Sequence, residues 1–293
     1  MTRQLSTSHP RWAPYVFMAP FVLIFCTFMV YPLVQSIVLA MQQTFGPKTT
    51  VFVGLKNFGD LLADRFFWLA MRNTFVYAVV SVALQLPLSL GLAMLLNRPS
   101  LKGRALFRLV FFSPSLVGIV FVAMMFALMF HEREGLVNAF LRAVIPHFPR
   151  EFPWLQQYVM PALIIATLWM SVGFNMIYYL AALQSVDREC LEAADIDGAN
   201  GWQKFLYVIL PEIAPVTRFV MLLSLIGSFQ LFELPFILLN GPGPENRGLT
   251  VGMYLYQYGF EVGDLGYASG IGWTLALVLV GLTIIQRMVS REQ

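Results

Sequence analysis

Along this chain, long stretches without a single Asp, Glu, Lys or Arg alternate with short polar ones. Residues 12–47, 73–97, 109–131, 152–186 and 265–286 are all free of these four residue types. Each exceeds the roughly 20 apolar residues that cross a hydrocarbon core of about 30 Å. A further window, 219–232, extends to residue 244 if Glu233 is accepted inside it. The pattern predicts an all-α polytopic membrane protein with six transmembrane helices. Their cores lie near 14–40, 73–96, 109–130, 160–183, 216–239 and 266–286, within a single domain spanning 1–293. The first stretch is too long for a signal h-region of about 7–15 residues and reads as a retained span. None of the loops is long enough for an independent soluble domain. In the first outer loop, "FVGLKNFGDLLADRFFWLAMRNT" reads as a short amphipathic helix at the membrane interface.

Composition and charge add orientation. Of 293 residues, 58% are hydrophobic and 12% charged, with 26 Phe and 15 Met; a soluble domain carries about 25% charged residues. An even number of spans puts both ends on one side. The loop between the second and third spans carries Arg98, Lys102, Arg104 and Arg108 and no acid, and the ends add Arg3, Arg11, Arg287 and Arg291. The positive-inside rule makes these segments, and both termini, cytoplasmic. Loops 41–72, 131–159 and 240–265 then face outward. A net charge of +3 suits membrane lipid with anionic headgroups and gives no sign of nucleic acid. Cys26 and Cys190 have no plausible partner, so no disulfide framework is expected. His131 and His147 offer no metal-ligand spacing. There is no G-x-x-x-x-G-K-[ST] stretch. No cofactor or metal is therefore expected in this chain, and any ATP is bound elsewhere.

One segment stands out from this apolar background. Asp187 to Asp197 holds five acids and one arginine. Residues 188–195 are good helix formers with acids in the first turn, where the helix dipole favours them. The run Asp197-Gly198-Ala199-Asn200-Gly201 is turn chemistry. Trp202, Phe205, Leu206 and Ile209 then share one helical face, and Pro211 and Pro215 mark a bend into the fifth span. The whole segment, 187–215, reads as a helix, a glycine turn and an amphipathic helix at the cytoplasmic face. Small residues at Ala193, Ala194, Gly198 and Ala199 would let another protein's backbone come close. A solvated loop with an interfacial helix fits these residues equally well.

The order of residues goes further. "EAADIDGANGWQKFLYVILP" resembles the signature of the permease subunits of binding-protein-dependent ABC importers: Glu-Ala-Ala, three residues, Gly, nine residues, Ile, any residue, Leu-Pro. Glu192, Ala193, Ala194, Gly198, Leu210 and Pro211 fall in register, with Val208 at the usual Ile. "YLAALQSVDREC" is similar to the run-in of the carbohydrate-type branch, with Asp187 in place of the usual Pro. "GLVNAFL" is similar to a Gly-x-x-Asn-x-x-Leu element of the second outer loop, and "FELPFILLNGPGPENRG" to the end of span five. The chain resembles the permease subunits typified by the maltose and glycerol-phosphate importers.

That resemblance implies a type I ABC importer permease fold in a bacterial or archaeal cytoplasmic membrane. It implies that the chain forms half of a pathway for a sugar or related polyol. Its partners would be an ABC ATPase dimer that binds ATP and Mg, a second and different permease subunit, and an extracytoplasmic solute-binding protein. Glu192, Ala193, Ala194, Asp197 and Gly198 would dock on the ATPase, and Leu210 and Pro211 would join the docked helix to span five. The chain itself would not be an enzyme.

For the solute path, Thr167, Ser171, Asn175 and Tyr178 share one face of span four, with Phe174 alongside. An Asn inside the membrane avoids lipid and should look inward, although interhelical hydrogen bonding serves such residues too. Ser224 and Ser228 of span five could line the same path. Glu233, the one acid inside a predicted span, reads as a structural acid that caps or braces the outer turn. A non-carbohydrate importer remains open from these residues. A secondary carrier would need repeated halves and its own ion site, and a membrane-embedded enzyme would need paired acids or a nucleophile with its base. Neither pattern is present in the spans.

Overall fold

The computed structural model describes residues 12–45 and 49–289. Arg3, Arg11 and Arg291 of the basic ends, and both termini, lie outside the described residues. The chain divides into two compact units.

The first unit comprises the segment up to Ala63 together with Gln257–Thr274. It opens with α1 (Ala13–Phe25), a π-helical turn (Cys26–Val30) and α2 (Tyr31–Ala40). These run on as one apolar stretch of 28 residues whose most hydrophobic window buries nothing within the chain. Next comes a short hairpin that the expectation of an all-α protein did not include, in a chain that is otherwise helical. β1 (Gln42–Phe45) pairs antiparallel with β2 (Thr49–Phe52), where Thr and Val suit a pleated backbone. Asn57, in α3 (Lys56–Ala63), anchors this hairpin. Its buried amide donates to the carbonyls of Ala40 at 2.9 Å and Gln42 at 2.8 Å. Thr44 Oγ1 donates to Asp264 Oδ1 at 3.0 Å, just before the last helix. A Cβ at Gly266 would run into the Gln42 carbonyl, so only glycine lets the two backbones meet there.

The second unit comprises Asp64–Tyr256 and the segment from Leu275 onward. α4 (Arg65–Asn97) is N-capped by Asp64, whose Oδ1 accepts from the Phe66 amide at 2.8 Å and whose other oxygen accepts from the Tyr254 hydroxyl. The window expected to form a third span is instead a broken helix. α5 (Arg104–Phe112), a 3₁₀ turn (Ser113–Leu116) and α6 (Ile119–Met129) follow one another with a bend of 98°. Pro114 has no N–H to continue the helix. Ser113 and Ser115 return hydrogen bonds to the carbonyls of Val110 and Phe112, at 3.0 and 2.7 Å, a local competition that unseats helical bonding. α7 (Leu136–Val144) lies in the next loop, and α8 (Val159–Ser185) packs along α4. α5 also crosses α8, at Gly173, where a Cβ would run into the Phe111 carbonyl.

α9 (Arg188–Ile196), α10 (Gly201–Lys204), a π turn (Phe205–Ile209) and α11 (Leu210–Glu212) precede α12 (Ala214–Phe229). The run Gly201–Glu212 meets Ala214–Phe229 at 69°. The stretch 216–239 is not one helix either. α12 ends at Phe229, and α13 (Glu233–Leu239) starts afresh and packs on α6. α14 (Val251–Tyr256) and α15 (Leu265–Val289) complete the order. Among the described residues, four helices are long and apolar enough to cross a membrane, or up to six if each bent pair is one span.

Two apolar cores hold this unit. One, around Tyr77, Phe126, Phe130, Leu163 and Leu234, sits toward the α6–α13 end. The other gathers Ala93, Met176, Leu180, Ile213 and Val220. Polar side chains stitch the loops over the first core. Asn73 Nδ2 reaches the carbonyls of Asn246 and Leu249, both at 3.1 Å, and Thr74 Oγ1 accepts from the Val251 amide at 3.0 Å. Asn138, fully buried, donates to the Glu132 carbonyl at 2.8 Å and accepts from Trp154 Nε1 at 2.7 Å. The Gly-x-x-Asn element is thus a loop scaffold, and a Cβ at Gly135 would collide with the carbonyls of Met129 and His131.

Two changes test this packing. Gly173→Leu should force α5 from α8 and cost about 1–3 kcal/mol, read as a lowered unfolding midpoint in detergent. Asn138→Ala should leave the Trp154 indole N–H unpaired at a cost of about 1–3 kcal/mol, read as faster protease cleavage within 131–158.

Candidate functional sites: a polar cavity and an exposed acidic segment

The segment after α8 is organised from its ends inward. Asp187 caps α9, its Oδ1 accepting from the Glu189 amide at 2.9 Å, while its own N–H donates to Glu212 Oε1 at 3.0 Å. Proline at this position would lack that N–H, so the unusual Asp ties the start of the segment to its end. α9 closes on Gly198 in the left-handed region, φ 74°, with the Ala199 amide bonded back to the Ala194 carbonyl at 2.9 Å, as glycine-terminated helices do. Asn200 and Gln203 form a reciprocal capping box at the head of α10. Lys204 Nζ meets Asp195 Oδ1 at 2.6 Å across the turn.

Glu192, Ala193, Asp197 and Gly198 are exposed, as are Ile196, Trp202 and Tyr207; Ala194 is half-buried. Nothing lies within 4 Å of where a Gly198 Cβ would stand. Leu210 and Pro211 sit in α11, before the bend at the buried Ile213. A cleft brings Asn97 and Arg98 of the basic loop together with Leu191, Asp195 and Lys204. The basic loop and the acidic segment therefore lie at the same end of the unit.

Six of the seven path residues expected from sequence meet at one open cavity of about 290 Å³, lined by α4, α6, α8, α12 and α13. Thr167, Ser171, Phe174, Asn175, Ser224 and Ser228 line it. Asn175 Nδ2 donates to Ser224 Oγ at 3.0 Å, Ser171 Oγ to the Thr167 carbonyl at 2.6 Å, and Thr167 Oγ1 pairs with the Tyr77 hydroxyl at 2.6 Å. Tyr178 stands outside the lining. Its ring edges onto Phe174 and Phe219, at 5.4 and 5.6 Å between centroids, in a packing run that also includes Phe112.

Two lining residues come from α4 and were not singled out from sequence: Tyr77 and Gln85. Their signal was present as a four-residue spacing of polar groups, Tyr77, Ser81, Gln85 and Ser89, all buried inside an apolar window. Glu233 is exposed in the first turn of α13. Instead of lying within a continuous span, it heads a new helix, where its charge suits the dipole. Among the described residues, no group of His, Cys, Asp and Glu could hold a metal ion.

Known proteins share this architecture. The chain is 39% identical to the arabinooligosaccharides transport system permease protein AraP of Halalkalibacterium halodurans over 273 residues, 93% of this chain and 86% of that one. It is 35% identical to the lactose transport system permease protein LacF of Rhizobium radiobacter over 283 residues, 95% and 94% of the two chains. A crystal structure of a bacterial ABC transporter involved in import of the acidic polysaccharide alginate superposes with a TM-score of 0.82 at 25% identity, covering 96% of each chain. A crystal structure of a bacterial alginate ABC transporter in complex with an alginate pentasaccharide-bound periplasmic protein gives 0.83 at 24% identity, over 96% and 94% of the two chains. The architecture is thus the type I ABC importer permease fold. The family model for the inner membrane component of binding-protein-dependent transport systems matches residues 85–292, and the chain belongs to that family.

Proposed function

We propose that this chain is one of two pore-forming permease subunits of an ATP-driven importer for a sugar or related polyol. The observation that carries the reading is the capped, exposed segment 187–215. It presents Glu192, Ala193, Asp197 and Gly198 outward on a helix–turn–helix fixed at both ends. Such a segment suits docking to a separate ATPase dimer, which binds the ATP and Mg. The ATPase can drive the pore only if it binds two states of the permease differently. Movement at the tip reaches α12 through Leu210, Pro211 and the bend at Ile213, and α12 carries two of the cavity's hydroxyls.

Counting each bent pair as one crossing gives six spans. The cleft shared by Arg98 and the acidic segment supports a common cytoplasmic side, with both termini there by parity. The second permease is expected to be a different chain. An extracytoplasmic binding protein would deliver solute to the opposite face of a bacterial or archaeal cytoplasmic membrane. The names of the relatives, for arabinooligosaccharides, lactose and alginate, favour a saccharide.

Mild purification of the tagged chain from native membranes should yield a stoichiometric ATPase and a second permease with vanadate-sensitive hydrolysis. A chain that stays alone and moves solute without ATP would sink the reading. Gly198→Asp leaves room in this chain for the new side chain and costs it about 1–2 kcal/mol at most for the left-handed backbone. The variant should insert normally yet lose about tenfold or more of its ATP-driven uptake, because one lost interface contact of about 1.4 kcal/mol already has that effect. Normal uptake with the ATPase still bound would remove Gly198 from the contact surface.

A further inference from the structure

The cavity specifies the charge class of its solute, a step that rests on the sugar-importer reading above. The similar transporters span both classes, since lactose is neutral and alginate acidic, so their names leave the matter open. The lining is more selective. Every polar group that borders the cavity is a hydroxyl or a carboxamide, and no Asp, Glu, Lys, Arg or His borders it. Gln85 and Ser171 stand near mid-length of the long helices α4 and α8, at the depth where an unpaired charge is costliest. A carboxylate or phosphate held there without a cation would lose hydration that nothing in this lining replaces.

The hydrogen-bonding inventory points to what is accepted instead. Tyr77 pairs with Thr167, Ser171 with a backbone carbonyl, and Asn175 with Ser224. Gln85 and Ser228 are different. Both residues are largely buried, 5% and 6% exposed, and both line the cavity without a side-chain hydrogen bond among the described residues; their polar atoms are not sealed off as the Ser81 and Ser89 hydroxyls of α4 are. A polar group that the helices leave unpaired and open to the cavity calls for a partner there. Two N–H donors and a carbonyl acceptor on one planar group match adjacent hydroxyls, which can each accept and donate. We propose that this cavity takes an uncharged, polyhydroxylated solute and that Gln85 is the specificity-determining side chain that reads its hydroxyls. The remaining lone pairs of Ser171 and the unpaired hydroxyl of Ser228 complete the polar side of the contact, and Phe174 and Leu223 supply the apolar side.

The test uses the complete transporter, with partner permease and ATPase but without binding protein. Saturation-transfer NMR would be run with a panel of neutral disaccharides, lactose, maltose and arabinobiose, and with digalacturonate as the acidic probe of similar size. Transfer should be seen to at least one neutral disaccharide and not to digalacturonate, and it should fall about tenfold in Gln85→Leu, the effect of one lost buried hydrogen bond to ligand. Equal or stronger transfer to digalacturonate overturns the proposal, as does the absence of transfer to every neutral probe. Undiminished transfer in Gln85→Leu removes the role of Gln85. The wild-type comparison stands even if that variant does not fold. Proteoliposomes supplied with binding protein separate the two levels of failure: no ATP-driven saccharide uptake defeats the importer reading, whereas uptake of an acidic saccharide defeats only the charge assignment.

Discussion

A polar side chain between apolar helices has few possible partners: another side chain, a backbone carbonyl, water, or whatever passes through. This constraint organises the second unit of the molecule. Tyr77 to Thr167 and Asn175 to Ser224 are cross-links between helices, and they fix α4 against α8 and α8 against α12. In lipid, hydrophobicity alone gives helices little reason to choose one neighbour over another, so pairs like these, with close backbone crossings such as Gly173 on Phe111, select the arrangement. The cavity is one place where this pairing is incomplete, and the Ser81 and Ser89 hydroxyls of α4 are others. The cavity's chemistry is set by what the helices do not use among themselves.

The same economy of partners governs the loops. Asn73, Thr74, Asn138 and Thr250 spend their side chains on backbone groups of irregular segments, which have no ladder of their own to satisfy them. Arg247 likewise reaches the Gln157 carbonyl at 3.1 Å, joining two loops far apart in sequence. The end of the unit opposite the acidic segment therefore adds directed bonds between loops to its core, whereas the acidic end rests on its own apolar core with caps and local turns above it.

Much of this was legible in the sequence, for identifiable reasons. Charge-free windows located the continuous helices because length and apolarity are what lipid demands, and the signature residues located the exposed segment. The windows did not reveal breaks, since Ser113-Pro114 and Gln230 interrupt a helix without adding charge. The hairpin was also hidden: Gln42–Phe45 is too short and too polar to show alternation, and Asn57, its anchor, comes after it in the chain. The cavity-lining residues on α8 could be found because Asn175 is conspicuous among apolar neighbours. Tyr77 and Gln85 obey the same spacing but sit among Ser and Ala, and their significance depends on which helices surround them. Glu233 was visible as an acid, yet only the restart of the helix explains how it is tolerated.

The bond from the Asp187 amide to Glu212 has a mechanical consequence. It closes the segment at its root, so the path from Asp187 to Glu212 is a loop whose two ends are pinned together. A force applied at the Gly198 tip cannot simply draw out the chain. In the docking proposed above, it would arrive at Ile213 as a torque on α12, the segment serving as a crank handle in place of a tether.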